Sequence, residues 1–544
     1  MSDGGRRGFG AALPVFFHQG IEVIKTTLLA ALVAAACAPT WAQDAAPVQL
    51  VIDTTRPGAL IDKDIQGQFA EHLGLGIYGG LWVGPQSKIP NVHGWRKDVV
   101  GALRELHVPL VRWPGGCFAD RYHWRDGIGP AAKRPVRVNA MWGGVPETNA
   151  VGTHEFFDLV DQLGARAYVN GNMGSGSVQE MSDWMEYLTA DSQSTLAKER
   201  RANGHAKPFP VAYFGVGNES WGCGGHMKPE QYAANYEQYA NFLEPAPQRR
   251  PRFVASGGND EDTSWTEAIS ARVKGNIDDI TFHYYTIPTG VWAHKGAAVG
   301  FDEAAWIQTL SRTERIDGLI AKNAAVLDRN DPEKKIGFAV DEWGTWYDDG
   351  PAPAGGVLYQ QNTLRDALVA ALNLNIFHAH ADRVHMTSIA QMVDVLQSMV
   401  LTDGARMVVT PTYHVFRMYV PFQDAAALPA ALTGAPEYAL GDVRMPALSV
   451  SAARGKDGVV HVSLVNSDPH HAITVALKAT GLQVASVRGE ALSAAQLDAR
   501  NTFDAPDIVH PSPWKAVPDG HGGATLTVPP ASVVVAAVTG TATP

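Results

Sequence analysis

Between about residue 65 and residue 392, short apolar runs alternate with segments whose apolar residues recur every three or four positions. The runs are Gly67-Gln68-Phe69-Ala70, Leu110-Val111-Arg112-Trp113, Ala167-Tyr168-Val169-Asn170, Ala212 to Val216, Phe253-Val254-Ala255-Ser256, Ile280-Thr281-Phe282-His283, Ile336 to Val340 and Val384 to Ile389. Each has the length and residue types of a buried strand. Helical spacing appears in Trp95 to Leu106, Phe156 to Leu163, Ser177 to Leu188, Pro229 to Leu243 and Gln360 to Leu374. Strands that alternate with helices imply βαβ units and a parallel sheet. Eight such units predict an α/β fold closed as a (β/α)8 TIM barrel, with an open doubly wound sheet as the alternative.

From about Phe422 the texture changes. Leu448 to Ala452, Val459 to Val465, Ala472 to Leu477, Ala524 to Val528 and Ser532 to Val538 read as strands separated by Gly, Asn, Asp and Pro turns. That pattern predicts an all-β sandwich, to which the early run Val48 to Ile52 adds a strand. The expected division is a barrel over 60–421 and a sandwich from 43–59 plus 422–544.

The first residues read differently again. Arg6, Arg7 and Lys25 precede the apolar run Leu28 to Ala36, and Thr40-Trp41-Ala42 fits a cleavage site before Gln43. Residues 1–42 therefore read as a secretory signal, with the true start nearer Ile21, and place the protein outside the cytoplasm or in the periplasm. The run is too short to span a bilayer, and Cys37 fits a lipidation site poorly. Over its 544 residues the chain carries a formal net charge of −11. That disfavours nucleic acid and anionic membrane as partners and suits a neutral ligand. Past residue 42 only Cys117 and Cys223 remain. Two cysteines make no disulfide framework. Free buried thiols are the expectation for them and a single bridge the alternative.

Candidate chemistry sits at the strand ends. Gly217-Asn218-Glu219 follows Val211 to Val216, and Asp341-Glu342-Trp343 follows Ile336 to Val340. In a barrel of this kind functional residues lie just after the C-terminal ends of the strands. The other ends supply Glu71-His72-Leu73-Gly74, Pro114-Gly115-Gly116-Cys117-Phe118, Asn170-Gly171-Asn172, His283-Tyr284-Tyr285 and Gln391. Carboxylates, amides and aromatic rings thus meet on one rim, as recognition of a sugar requires. Two carboxylates there are what glycoside hydrolysis needs. Alone, each glutamate could equally be an ordinary carboxylate at a strand end. Their convergence is the stronger signal.

These residues carry a family resemblance. The chain resembles the α-L-arabinofuranosidases of glycoside hydrolase family 51, from Phe69-Ala70-Glu71-His72-Leu73-Gly74 to Pro411-Thr412-Tyr413-His414-Val415-Phe416. Between these lie Arg112 to Phe118, Tyr122 to Pro130, Gly217-Asn218-Glu219, Asp341-Glu342-Trp343 and Ile389-Ala390-Gln391. The resemblance implies a barrel plus a sandwich and a retaining mechanism. It places Glu219 as acid/base, Glu342 as nucleophile, and Glu71, Asn218 and Gln391 on the arabinofuranose hydroxyls. It puts Tyr285 against the nucleophile, with the adjacent Tyr284 left open, and Cys117 in the wall of the sugar pocket. It implies no metal or cofactor, an arabinose-containing polysaccharide or oligosaccharide as substrate, and allows a homo-oligomer. The stretch Ser220 to His226 departs from the Met-Asp-Gly-Pro-Trp form of many members, which leaves leaving-group preference open.

Other readings compete. A β-xylosidase or endoglucanase would use the same scaffold, and a non-catalytic carbohydrate-binding protein would not need both glutamates. His378, His380 and His385 cluster but match no usual zinc spacing. Asn218-Glu219-Ser220 is formally a glycosylation acceptor, but a modified Asn218 would block the pocket. Trp343 and Trp346 read equally as core and as sugar platform.

Overall fold

Most predicted barrel runs are rich in β-branched and aromatic residues, and each becomes a strand. The computed structural model describes residues 47–543. Strand β1 (Val48–Asp53) precedes the barrel, whose strands are β2 (Gly67–Phe69), β3 (Leu110–Trp113), β4 (Arg166–Gly171), β5 (Val211–Val216), β6 (Arg252–Ala255), β7 (Asp279–Thr286), β8 (Gly337–Thr345) and β9 (Val384–Ile389). They pair in parallel in chain order, and β9 closes on β2 through Ser388 opposite Gly67 and Ile389 opposite Gln68. The sheet is a closed eight-stranded barrel, not the open alternative.

Helices α1 (Lys97–Glu105), α2 (Thr153–Leu163), α3 (Val178–Thr189), α4 (Pro229–Asn241), α5 (Ser264–Arg272), α6 (Arg315–Asn330), α7 (Leu364–Ala379) and α8 (Pro411–Tyr419) follow the eight strands in turn, with Thr195–Ala202 and Glu303–Thr313 inserted. Local chemistry starts and stops them. Ser177 Oγ accepts the Glu180 N–H at 3.1 Å to cap α3, and Gly164, at φ +70°, ends α2. Helix α7 is buried almost all round, which is why its sequence is apolar beyond one face. It lies between the barrel and the strands that follow, where Asn375 bonds Ser449 and His378 bonds Ser451. Among the described residues no helix is long and apolar enough to cross a membrane.

Beyond the barrel two further sheets form. One holds five strands: Ala430–Thr433, β1, Ile473–Thr480, Ala524–Val528 and Val517–Pro518. Strand β1 pairs antiparallel with Ala430–Thr433 and parallel with Ile473–Thr480. The other holds seven, with Leu448–Arg454, Val460–Asn466, Ser532–Ala542 and Leu482–Leu492 at its centre. Sequence pattern passed over Leu482–Leu492, whose half-buried alternation is broken by a register shift between Val484 and Ser486. The short strand Leu60–Ile61 joins this seven-stranded sheet by pairing with Ala425–Ala427, so the first barrel strand starts only at Gly67.

Two barrel strands outrun their apolar runs. Strands β7 and β8 continue pairing past a register shift, with His283 opposite Glu342 and Tyr285 opposite Gly344. Glu342 and Tyr285 therefore lie inside strands, not just past them as the sequence suggested. Hydropathy fades where polar residues begin, but the ladder continues because each strand has a partner of equal length.

Candidate active site

The rim gathers around a short glycine pair. Gly115 and Gly116 follow β3, and a Cβ on Gly115 would lie 2.9 Å from both Cγ and Oε1 of Glu71. A Cβ on Gly116 would lie 2.4 Å from Oε1 of Glu342. Only residues without side chains let this loop pass between the two carboxylates.

Glu71 is buried, and its Oε1 accepts the N–H groups of Gly116 at 3.1 Å and Phe118 at 2.9 Å and the Trp142 indole at 3.0 Å. Gln391 Nε2 donates to its other oxygen at 3.1 Å, while Gln391 Oε1 accepts the Glu71 N–H at 3.2 Å. Burial, and then the charge of Glu342, push the Glu71 carboxyl up to about 7 against the pull of those hydrogen bonds.

Glu342 is gripped at both oxygens. Arg112 Nη1 donates to Oε1 at 2.9 Å, and the Tyr285 hydroxyl donates to Oε2 at 2.8 Å. Tyr284 instead donates to the Arg312 carbonyl, so Tyr285 is the tyrosine that reaches the site. Arg112 also donates from Nη2 to Asn218 Oδ1 at 2.5 Å. The Asn218 Nδ2 points to Cys223 Sγ at 3.9 Å and lies 3.4 Å from where a Cβ on Gly116 would stand.

Glu219 sits at φ +40°, an uncommon conformation for a residue with a side chain. Its carbonyl accepts the N–H groups of Gly222 at 2.7 Å and Gly224 at 3.1 Å, which hold the turn. Its Oε1 lies 2.8 Å from His283 Nδ1, and His283 Nε2 lies 3.1 Å from Asp341 Oδ1. Asp341 is further paired with Arg112 at 3.2 Å and accepts from the Tyr168 hydroxyl at 2.9 Å. Burial alone would strip the His283 proton. The charge of Glu342 and the bonds to Asp341 and Glu219 reverse this and push the ring up to about 10, so it is an imidazolium donating from both nitrogens. For Asp341 burial is likewise outweighed, by Arg112 and His283, and its pKa is lowered. Burial raises the Glu219 carboxyl above its usual range, helped by the charge of Glu342 and opposed by His283. Although 16% of its side chain stays accessible, Glu219 is the carboxyl on this rim best placed to carry a transferable proton. Oxygens of Glu219 and Glu342 lie within 4.8 Å of one another, as does His283.

Cys117 and Cys223 are joined in a disulfide, which corrects the expectation of free thiols. Their sequence separation of 106 hides a close approach that the barrel creates by placing the loops after β3 and β5 side by side. The sulfurs lie 3.7 and 3.5 Å from Glu219 Oε2. Neither carries a proton, so these are packing contacts that wall the pocket beside Glu219.

Glu71, Cys117, Asn218, Glu219, Tyr285, Glu342 and Gln391 are thus connected, directly or through one residue. Four others were given no role from the sequence. Arg112 was legible as a lone charge inside an apolar strand, and His283 as the residue two before Tyr285, on the same strand face. Trp142 gave no signal, since only the hairpin of Arg137–Asn139 and Val145–Glu147 brings its indole to Glu71. Asp120 gave none either. It is buried, and its carboxylate takes the N–H groups of Met173, Gly174 and Asn218 at 2.7–2.8 Å, tying three rim loops together. Asn172 does not face the pocket; its Oδ1 accepts from Ser175 and Gly176. Trp343 is core, stacked on Phe416, whereas Trp346 packs edge-on against Tyr285. His378, His380 and His385 go to separate partners, Ser451, Asp317 and Asp279.

Comparison with known proteins agrees with this geometry. The model of an α-L-arabinofuranosidase 1 domain matches residues 102–303, and that of an α-L-arabinofuranosidase C-terminal domain matches residues 341–532. An intracellular exo-α-L-arabinofuranosidase of Bacteroides ovatus is 45% identical over 94% of this chain and 98% of its own. The crystal structure of the GH51 arabinofuranosidase from Xanthomonas axonopodis pv. citri superposes with a TM-score of 0.88 at 49% identity, covering 90% of this chain and all of that one. An arabinose complex of the Thermotoga maritima α-L-arabinofuranosidase superposes at 0.79 with 27% identity, covering 90% of this chain and 99% of that one. One expectation is overturned. Residues 1–42 lie outside the described residues, and the Bacteroides ovatus relative, named as intracellular, corrects the placement of the protein outside the cytoplasm. Basic residues before a short apolar run are a compositional signal and fix no destination by themselves.

Proposed function

The chain belongs to the α-L-arabinofuranosidases of glycoside hydrolase family 51 and is a glycosidase acting on α-L-arabinofuranosides; from that premise we propose that it is exo-acting and retaining, and releases L-arabinofuranose from arabinan, arabinoxylan or their oligosaccharides. One observation carries the proposal. One oxygen of Glu219 and one of Glu342 lie within 4.8 Å, which supports the short carboxyl spacing of retaining enzymes, roughly 5–5.5 Å, over the roughly 6.5–9.5 Å that leaves room for a water in inverting ones.

Roles follow from each environment. Glu342, aimed by Arg112 and Tyr285, attacks the anomeric carbon. Glu219, protonated by virtue of its burial, passes its proton to the departing oxygen as the glycosidic bond breaks. The product of this step is a glycosyl ester on Glu342 and a carboxylate at Glu219. Glu219 then takes a proton from water, which attacks the same carbon from the face the leaving group vacated and frees Glu342. The two displacements restore the starting configuration. His283 steadies the Glu219 carboxylate between the steps by donating to it, and Asp341 keeps that imidazole charged. Glu71 Oε2, Asn218 Nδ2 and Gln391 supply donors and acceptors for the sugar hydroxyls, and the disulfide at Cys117 closes one wall.

The test is the configuration of the first-formed arabinose, followed by proton NMR, together with azide rescue. Release of the α-anomer first, and an α-azide adduct of retained configuration from E219A, are expected. A first-formed β-anomer would sink retention. A retained-configuration adduct from E342A and none from E219A would show that the two roles are exchanged.

A further inference from the structure

Trp292 packs against Trp346 yet stays largely exposed. It lies on the loop after β7 with 58% of its surface exposed, beside Val291 at 54%. The loop is not loose. Asp348 accepts the N–H groups of Lys295 at 2.7 Å and Gly296 at 3.0 Å, and its own N–H donates to the Gly296 carbonyl. Arg312 donates to the carbonyls of Pro288 at 2.9 Å and Thr289 at 3.1 Å. Gly290, at φ +69°, passes so close to that guanidinium that a Cβ would lie 2.3 Å from it. A loop held this firmly presents its tryptophan in one place and pays no ordering entropy when a ligand arrives.

That place continues the active site outward. Tyr285, whose hydroxyl holds Glu342, meets Trp346 edge-on at 5.0 Å, and Trp346 meets Trp292 edge-on at 4.7 Å. Lys295 Nζ lies 4.8 Å from the Trp292 ring and 5.7 Å from Trp346, which fixes the two rings together. Trp292 therefore stands two aromatic contacts out from the residue that aims the nucleophile. An exo-acting pocket is closed behind the sugar it releases, so whatever meets its mouth belongs to the leaving group. A broad exposed indole offers a flat apolar face to the C–H side of a neutral sugar ring.

We propose that Trp292 is a specificity-determining residue, a stacking platform for a sugar of the leaving group beyond the one directly bonded to the released arabinose. This rests on the exo-acting reading above. It makes chains of three or more sugars better substrates than the scissile bond alone would.

The experiment measures kcat/KM for W292A, W292F and the parent on an aryl α-L-arabinofuranoside, on an α-linked arabinotriose and on an arabinosylated xylotriose. The readout is the ratio of oligosaccharide to aryl substrate, in which any shared loss cancels. W292A is expected to lower that ratio roughly ten-fold for the preferred oligosaccharide, through KM, and W292F to restore most of it. An unchanged ratio in an enzyme that cleaves the oligosaccharides overturns the platform alone. So does a change in assembly state of W292A by light scattering without a change in ratio, which would make Trp292 a contact between copies. If the parent cleaves the aryl substrate but neither oligosaccharide, the substrate reading fails and takes the platform with it.

Discussion

Replacing Gly116 by alanine would test whether the position of Glu342, the proposed nucleophile, is set by the absence of one side chain. Gly116 is not among the residues at positive φ, so its backbone accepts alanine. The new Cβ would stand 2.4 Å from Glu342 Oε1. Ordinary contacts begin at 3.4 Å, so the carboxylate must retreat by about 1 Å. It cannot swing freely, because Arg112 holds Oε1 at 2.9 Å and Tyr285 holds Oε2 at 2.8 Å. A displacement of that size at the attacking atom costs on the order of 10²-fold in rate, or about 2.7 kcal/mol of transition-state stabilisation. Overpacking should lower stability by a further ~1–3 kcal/mol without unfolding the barrel. Steady-state kinetics on an aryl arabinofuranoside, with thermal unfolding in parallel, read both quantities. The expected result is kcat down about 100-fold with KM changed far less. G115A supplies the contrast: its Cβ meets Glu71, so KM should rise more than kcat falls. A folded G116A with kcat within about three-fold of the parent would refute the argument, because the nucleophile would then tolerate a shift that the chemistry should not.

Two further outcomes follow from the charges around the site. H283Q removes the cation beside Glu219, so the protonated acid is favoured further and the basic limb of the kcat/KM profile should move up by roughly one pH unit; a limb that stays put or moves down would show that His283 does not tune the acid. Glu71 is held at about 7 against 4.5 for an unperturbed glutamate. Between those values the folded state keeps a proton that the unfolded chain releases, so the stability linked to protonated Glu71 is complete below about 4.5 and is lost as pH rises through 7. E71Q abolishes that titration, and its urea-unfolding free energy should fall by about 3 kcal/mol less than the parent's between those limits; parallel curves would mean that Glu71 is ionised throughout.

Local pattern was enough for the barrel. Runs such as Val211–Val216 are apolar enough to identify themselves, and eight of them alternating with helices leave few ways to bury every sheet face. Glu219 was legible for the same reason, because it stands where a strand stops and a barrel collects its polar ends. Glu342 was found by the same reasoning with its place slightly misread. The apolar run stops at Val340, while the strand continues to Thr345 because β7 pairs with it that far. The sandwich was legible in outline, but Leu482–Leu492 was not, since a bulge breaks the alternation that marks a half-exposed strand.

What tertiary structure alone decided is how distant residues pair around those glutamates. Cys117 and Cys223 are bridged because closure sets their loops next to each other, a fact that no spacing between them encodes. Asp120 ties two other loops to its own through backbone N–H groups, which every residue has, so nothing in Met173, Gly174 or Asn218 announces the partner. Trp142 reaches Glu71 from a hairpin tip, and Trp292 stands exposed because Asp348 and Arg312 pin its loop. The raised pKa of Glu219 and the charge on His283 likewise depend on burial and on neighbours brought from β3, β7 and β8. Periodicity is a property of neighbours along the chain, whereas electrostatic environment is a property of neighbours in space, and those exist only once the eight strands have closed.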